Sequence, residues 1–193
     1  MKITLLFTFL CSGLIFAQDK PNTPAKPEAK TKIELFQSRK GGVIIKSFQE
    51  VFKFGFYLRG ESKDYNLGSA AVWELIDGSS GEKIYGIKIT MPVVGGQYGI
   101  TKIGEETVFL DADEVDAVIK GLDYILSYEE GKTKYKDWQV DFKSKAGFEV
   151  NAFSLGGGTK YAVDTGRETR IYPRTEIEKL KAAFTKAKGL LGE

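Results

Sequence analysis

Residues 85–126 read YGIKITMPVVGGQYGITKIGEETVFLDADEVDAVIKGLDYIL, and residues 146–188 read AGFEVNAFSLGGGTKYAVDTGRETRIYPRTEIEKLKAAFTKAK. The second stretch is a degenerate copy of the first. Gly86-Ile87-Lys88-Ile89 answers to Gly147-Phe148-Glu149-Val150, and Val94-Gly95-Gly96 to Leu155-Gly156-Gly157. Beyond the loop, Glu106-Thr107-Val108-Phe109 answers to Glu168-Thr169-Arg170-Ile171. Glu114, Val115, Val118, Leu122 and Ile125 answer to Glu176, Ile177, Leu180, Phe184 and Ala187. The offset is 61 residues at the start (86 to 147) and 62 after the loop (106 to 168). Self-similarity of this kind reports architecture before any local motif is read: strand, Gly-Gly turn, strand and closing helix, twice over.

Outside the helices the pattern has period two. Phe52, Phe54, Phe56 and Leu58 alternate with Lys53, Gly55, Tyr57 and Arg59, and Trp138, Val140 and Phe142 with Gln139, Asp141 and Lys143. Such alternation leaves one face polar, which marks antiparallel sheet. Turns fall at Lys40-Gly41-Gly42, Asp77-Gly78-Ser79-Ser80-Gly81, Gly95-Gly96, Gly156-Gly157-Gly158 and Asp164-Thr165-Gly166. Two segments change to helical spacing. Val115, Val118, Ile119, Leu122, Ile125 and Leu126 form one apolar stripe, opened by Asp111 with Glu114 three residues on. Ile177, Leu180, Phe184, Ala187 and Leu191 form the other, entered through Pro173. The fold class is therefore α+β: one antiparallel, β-rich domain made of two related halves, each closed by an amphipathic helix. Each helix is expected to cover the sheet of its own half.

Met1-Lys2, the apolar run Ile3 to Phe16 and the following Ala17-Gln18 have the layout of a secretory signal. The run is too short for a membrane span, which needs about 20 apolar residues. Residues 1–17 are read as a signal peptide with cleavage after Ala17, which makes the protein secreted or periplasmic with no transmembrane segment in the mature chain. Lipid attachment at Cys11 is disfavoured, because Leu10 stands where a small residue is wanted. Residues 18–32, QDKPNTPAKPEAKTK, hold three prolines and no large apolar side chain, which predicts a disordered tether. Residues 33–193 form the domain. The whole chain carries 28 basic and 26 acidic residues; losing Lys2 with the signal leaves 27 and 26, a net of +1. Bulk charge thus gives nucleic-acid binding no support. Cys11 is the only cysteine, so the mature domain has no disulfide and relies on its core.

The string Val140-Asp141-Phe142-Lys143-Ser144-Lys145-Ala146-Gly147-Phe148-Glu149-Val150, followed by a glycine loop, the strand Thr169-Arg170-Ile171-Tyr172 and a helix, resembles the strand-turn-strand-strand-helix unit of PUR repeats. Whirly-type proteins have a similar doubled architecture. The resemblance covers both copies, about half the chain. It implies single-stranded nucleic acid bound through aromatic and basic residues on a sheet, here Trp138, Phe148, Lys143 and Lys145.

The chain has no histidine, which removes His-dependent triads and, with no mature cysteine, ordinary structural zinc sites. Asp111-Ala112-Asp113-Glu114-Val115-Asp116 fails as an EF-hand because its sixth and twelfth positions are Asp116 and Leu122 rather than Gly and Glu. Carboxylates in a first helical turn, facing the positive end of the helix dipole, explain it. Ser80-Gly81-Glu82-Lys83 has Ser-x-x-Lys spacing but sits in a turn before a strand, without companion motifs. Gly156-Gly157-Gly158-Thr159-Lys160 lacks P-loop spacing and leads into a strand. A carboxylate-only hydrolase would draw on Glu61, Glu74, Asp137 or Glu149. No cofactor or metal is expected. The leading expectation is an exported, non-enzymatic binding or structural module of the cell envelope that takes an envelope ligand or protein partner, ahead of a PUR- or Whirly-like binder or the hydrolase. Its candidate binding residues are the Gly95-Gly96 and Gly156-Gly157 connections, expected to be related by an internal two-fold, with Tyr98 and Tyr161 as a paired aromatic rim.

Overall fold

A computed structural model describes residues 31–56, 65–95, 101–128, 134–166 and 169–192. Residues 1–30, with the expected signal peptide and most of the tether, lie outside them. Thr31 and Lys32, expected to end the tether, belong instead to the folded domain. Thr31 opens a short helix, α1 (Lys32–Gln37), through a capping box: its hydroxyl accepts from Glu34 N at 3.3 Å while its own N–H donates to the Glu34 carboxylate at 2.8 Å. The N–H groups of Lys32 and Ile33, which have no partner inside the helix, donate to the two oxygens of Asp111 at 2.9 and 3.0 Å. A side chain almost eighty positions away thus seats the helix. Ile33 and Phe36 then bury against Leu75, with Ile44, Trp73, Ile84 and Phe109 around them.

Strands β1 (Ile44–Phe56), β2 (Tyr65–Asp77), β3 (Lys83–Gly95) and β4 (Thr101–Asp111) form an antiparallel meander in that order. A 3-10 turn, Ala112–Glu114, leads into α2 (Val115–Ser127). The second half repeats the plan with β5 (Gln139–Lys143), β6 (Glu149–Leu155), β7 (Gly158–Asp164) and β8 (Thr169–Tyr172), again in sequential order, followed by α3 (Arg174–Leu190). This is the α+β fold of two helix-closed antiparallel halves. Core rows run straight across the strands: Val72 pairs with Ile87 and Ile87 with Leu110, and Ala70 pairs with Ile89 and Ile89 with Val108. They join Val118, Leu122 and Ile125 of α2, Phe148, Val150 and Val163 of the second half, and Ile177, Leu180 and Phe184 of α3 in one core.

The helices exchange sheets. α2 packs against β5 and β6, whereas α3 packs against β1 and β2 and also meets β7; the two helices pack on each other. The expectation that each covers its own half's sheet is corrected. Both sheets present an apolar inner face, so the stripe on a helix does not say which one it will meet. Specific polar contacts decide it. Glu114 accepts from Lys145 N at 2.8 Å, and the Arg174 guanidinium donates to the Leu126 carbonyl at 2.9 Å. Lys188 pairs with Asp116 at 2.7 Å, and Lys181 with Asp123. Gly121 lets α2 approach β5 closely, since a Cβ there would overlap the Phe142 ring.

The repeat coincides with the structure at its closing end: Val115, Val118, Leu122 and Ile125 match Ile177, Leu180, Phe184 and Ala187, all buried. At its opening end it does not. The string Gly86 to Ile89 belongs to the third strand of its sheet, while Glu149-Val150 opens the second strand of the other, just after Gly147-Phe148. Any core strand that ends in a glycine turn carries the same period-two signature, so the sequence match slid by one strand.

Candidate functional site

The outer face of the first sheet, turned away from the helices, is only partly covered. α1 closes one end of it. Gly86 permits this, because a Cβ would stand 2.5 Å from the Leu110 carbonyl oxygen and 3.0 Å from Ile33 Cδ1. Beyond α1, Phe48 pairs with Trp73 across β1 and β2, and Lys88 pairs with Phe109 across β3 and β4. The Phe48 and Trp73 rings stack at 5.7 Å with 22° between planes, and Phe109 meets Trp73 edge-on at 5.8 Å. Such pairs contribute about 0.5–1.5 kcal/mol each beyond area burial. Lys88 Nζ lies 5.0 Å and Lys46 Nζ 5.8 Å from the centre of the Trp73 ring, within cation–π range. Among the described residues neither ammonium pairs with a carboxylate; Lys46 donates to the Gln37 side-chain oxygen at 3.2 Å. Phe48 is 70% exposed. Ser69, Ala71, Thr90 and Thr107 keep the neighbouring surface low.

A β-bulge creates this ridge. Phe48 and Phe52 have the same parity, but the register shifts between Glu50 and Phe52, so Phe52 pairs with Ala70 over the core while Phe48 faces outward with Trp73. Parity alone sends both rings to one face, which is why no sequence pattern marks Phe48 as surface.

A second concavity, an open groove of about 350 Å³, lies where α3 ends near β1–β3 and is lined by Ser47, Gln49, Val72, Glu74, Tyr85 and Leu190, with Phe48 at its edge. Its single carboxylate, Glu74, accepts from Lys83 Nζ, the Tyr85 hydroxyl and the Ser47 hydroxyl, each at 3.0 Å. These bonds, Lys83 first, hold Glu74 below the usual carboxylate range, and the same contact raises the Tyr85 phenol. A glycosidic proton donor needs the opposite shift. Glu149 lies on the outer face of the other sheet beside Lys143 at 3.4 Å, Asp137 is exposed ahead of β5, and Glu61 lies outside the described residues. The described candidates do not converge. Among the described residues no group of three or more His, Cys, Asp or Glu side chains is arranged to hold a metal ion.

Gly95 ends β3 opposite Thr101, while Gly96 and Tyr98 lie outside the described residues. Gly156 and Gly157, with φ of 62° and 81°, form the two-residue turn of the β6–β7 hairpin. The two glycine connections therefore close different hairpins, the third of one sheet and the second of the other. Tyr161 is buried in the core, its hydroxyl accepting from Arg174 Nη1 at 3.1 Å. Trp138 and Phe148 are also core residues, whereas Lys143 and Lys145 are exposed. The acidic run at the start of α2 is structural: Asp111 seats α1, Asp113 pairs with Lys32 at 2.7 Å, and Glu114 joins the Asp111 and Lys145 N–H groups. Among the described residues no helix is long and apolar enough to cross a membrane. In comparison with known proteins, no family model, no curated protein and no solved structure matches this chain.

Proposed function

We propose that this protein is an exported, non-enzymatic binding module of the cell envelope, and that its ligand surface is the outer face of the first sheet. The observation that carries the reading is the ridge of Phe48, Trp73 and Phe109 with Lys46 and Lys88 beside it: Phe48 is exposed and Trp73 and Phe109 are half-buried at the edge of the α1 cluster, whereas the other tryptophan, Trp138, lies in the core. Aromatic groups on a rigid sheet present contact area at little entropic cost, and ammonium groups beside them that meet no carboxylate among the described residues favour ligands with negative charge. The groove at Glu74 offers no general acid, since its carboxylate is held below the usual range by Lys83, Tyr85 and Ser47. Export rests on residues 1–17 and is checked by N-terminal sequencing of the protein recovered from its host, which should begin at Gln18.

Binding is tested by screening glycans, peptides, lipid vesicles and single-stranded oligonucleotides with Trp73 fluorescence in a Trp138→Phe background. The reading expects a ligand found in that screen whose affinity, measured by titration calorimetry, falls at least about tenfold in Trp73→Ala and in Phe48→Ala, with Phe48→Ala still folded by circular dichroism. Equal affinity in both variants would overturn it.

A PUR-like single-stranded nucleic-acid binder is the second reading, favoured by the same juxtaposition of rings and lysines on an open sheet. Stacking would supply about 1–3 kcal/mol per base. With two lysines neutralising phosphates, log affinity should fall with log salt at a slope of about 1.4. A salt-insensitive ligand would exclude it.

A further inference from the structure

Among the described residues the longest unpaired edge belongs to the strand that carries Phe48. β1 has thirteen residues and a single neighbour, β2. Residues 45 to 50 are all exposed, and Val43, Ile45 and Phe48, at 70%, 51% and 70%, are among the most exposed large apolar side chains described. A long apolar edge is a template for pairing, and proteins usually blunt such edges by shortness, charge or bulges. The other edges are blunted: β5 and β8 have five and four residues, and β4 carries adjacent Glu105 and Glu106 and faces a register shift at Val93/Val94.

We propose that β1 is a homodimer edge, pairing antiparallel with β1 of a second copy about a two-fold axis at Phe48. In that register Phe48 stands opposite Phe48, Ser47 opposite Gln49, and Lys46 opposite Glu50. Lys46, Phe48 and Glu50 all share the outer face, as their partners Leu75, Trp73 and Ala71 show. Two opposite-charge pairs therefore flank one aromatic pair, an arrangement that stabilises cross-strand neighbours. Moving the axis to Ser47 sets Lys46 opposite Phe48 and Glu50 opposite Ile44, and moving it to Gln49 sets Phe48 opposite Glu50, so both lose the two ion pairs; parallel pairing sets Lys46 against Lys46. The bulge after Glu50 ends the match, which confines pairing to this segment. Among the described residues Lys46 meets Gln37 and the Trp73 ring, and Glu50 pairs with Lys53 at 3.2 Å with both side chains about half exposed. Contacts of that kind are weak enough to exchange. Pairing would join two four-stranded sheets into one of eight and continue the aromatic ridge through the axis.

The test uses the full chain with Cys11→Ser, which removes its only cysteine. Sedimentation velocity should show a concentration-dependent dimer. Lys46→Glu should weaken association at least about tenfold, and Lys46→Glu combined with Glu50→Lys should restore it. Phe48→Cys should form an intermolecular disulfide under mild oxidation, because opposite Cβ atoms in a sheet lie about 4.5–5.5 Å apart, within small adjustment of disulfide geometry. Ile103→Cys, exposed on the opposite edge, should not. A monomer up to millimolar concentration, a dimer indifferent to Lys46→Glu, or cross-linking no faster at Phe48→Cys than at Ile103→Cys would each overturn the proposal. Circular dichroism confirms that each variant is folded.

Discussion

The two sheets share a plan and divide its uses. Strands of the first run 13, 13, 13 and 11 residues, and those of the second 5, 7, 7 and 4. The first sheet extends well past what the helices need, and its surplus outer face carries Phe48, Trp73 and Phe109 among lysines. The second is cut to the size of the core, and its outer face holds Asp141, Lys143, Glu149, Asn151, Lys160 and Asp164 around Phe153 and Ile171. Of its large aromatic residues, Trp138, Phe148, Tyr161 and Tyr172 are buried in the core and Phe153 faces outward. The two halves thus share one plan, and strand length decides which has outer surface to spare.

The sharpest test of that division substitutes an aromatic residue in each half. Phe148→Ala, beneath the second sheet and packed on Phe184 at 5.8 Å, should destabilise by about 3–5 kcal/mol in urea unfolding. Phe48→Ala, on the first, should cost no more than the stack on Trp73, about 0.5–1.5 kcal/mol. A large loss at Phe48 would mean the ridge is structural. Next comes Asp111→Ala, which removes the acceptor for Lys32 and Ile33 N–H. Each buried donor left unsatisfied costs about 1–3 kcal/mol, and hydrogen exchange should show α1 released while the second sheet stays protected.

Gly86→Ala forces a contact with the Leu110 carbonyl of β4 and with Ile33 of α1 and should cost about 1–3 kcal/mol, disturbing both the strand edge and the seat of α1. In the second half, Gly156→Ala or Gly157→Ala meets open space but a left-handed backbone. Each should cost about 1–2 kcal/mol, with ligand binding unaffected.

The smallest expected effect is a pH dependence confined to the first sheet. Asp77, in the β2–β3 turn, accepts from the Ser79 hydroxyl at 2.5 Å and from the N–H groups of Ser79 and Ser80 at 2.9 and 3.1 Å. These bonds lower its pKa to about 2. A carboxylate depressed in the folded state contributes stability that is fully present above its unfolded pKa of about 3.9 and is lost as pH falls through about 2. The difference in melting temperature between the parent and Asp77→Asn should therefore be present at neutral pH and vanish near pH 2. The two-glycine turn of the second sheet has no such group.

Much of this was legible in the residues. The stripes from Val115 to Leu126 and from Ile177 to Leu191 became α2 and α3, and Asp111 with Glu114 marked the start of the first. Trp138, Val140 and Phe142 face the core against exposed Gln139, Asp141 and Lys143. Thr31-Lys32-Ile33-Glu34 carries a capping-box signal, yet it follows a proline- and lysine-rich segment, and six residues cannot sustain a helix without the distant carboxylate of Asp111. The aromatic ridge was hidden by the bulge in β1, which reverses the face of Phe48 relative to Phe52 without changing sequence parity.

By itself the sequence determined what depends on neighbours along the chain: strand alternation, glycine turns, amphipathic stripes, helix starts and the existence of two related halves. Those are set by backbone sterics and by the period with which side chains revisit a face. Only the tertiary structure decided which sheet each helix covers, where the repeat's strands fall in their sheets, and which aromatic residues stay in water. These choices turn on contacts between distant residues, Glu114 with Lys145, Arg174 with Leu126 and Gly121 with Phe142, and on a one-residue change of register that local pattern does not record.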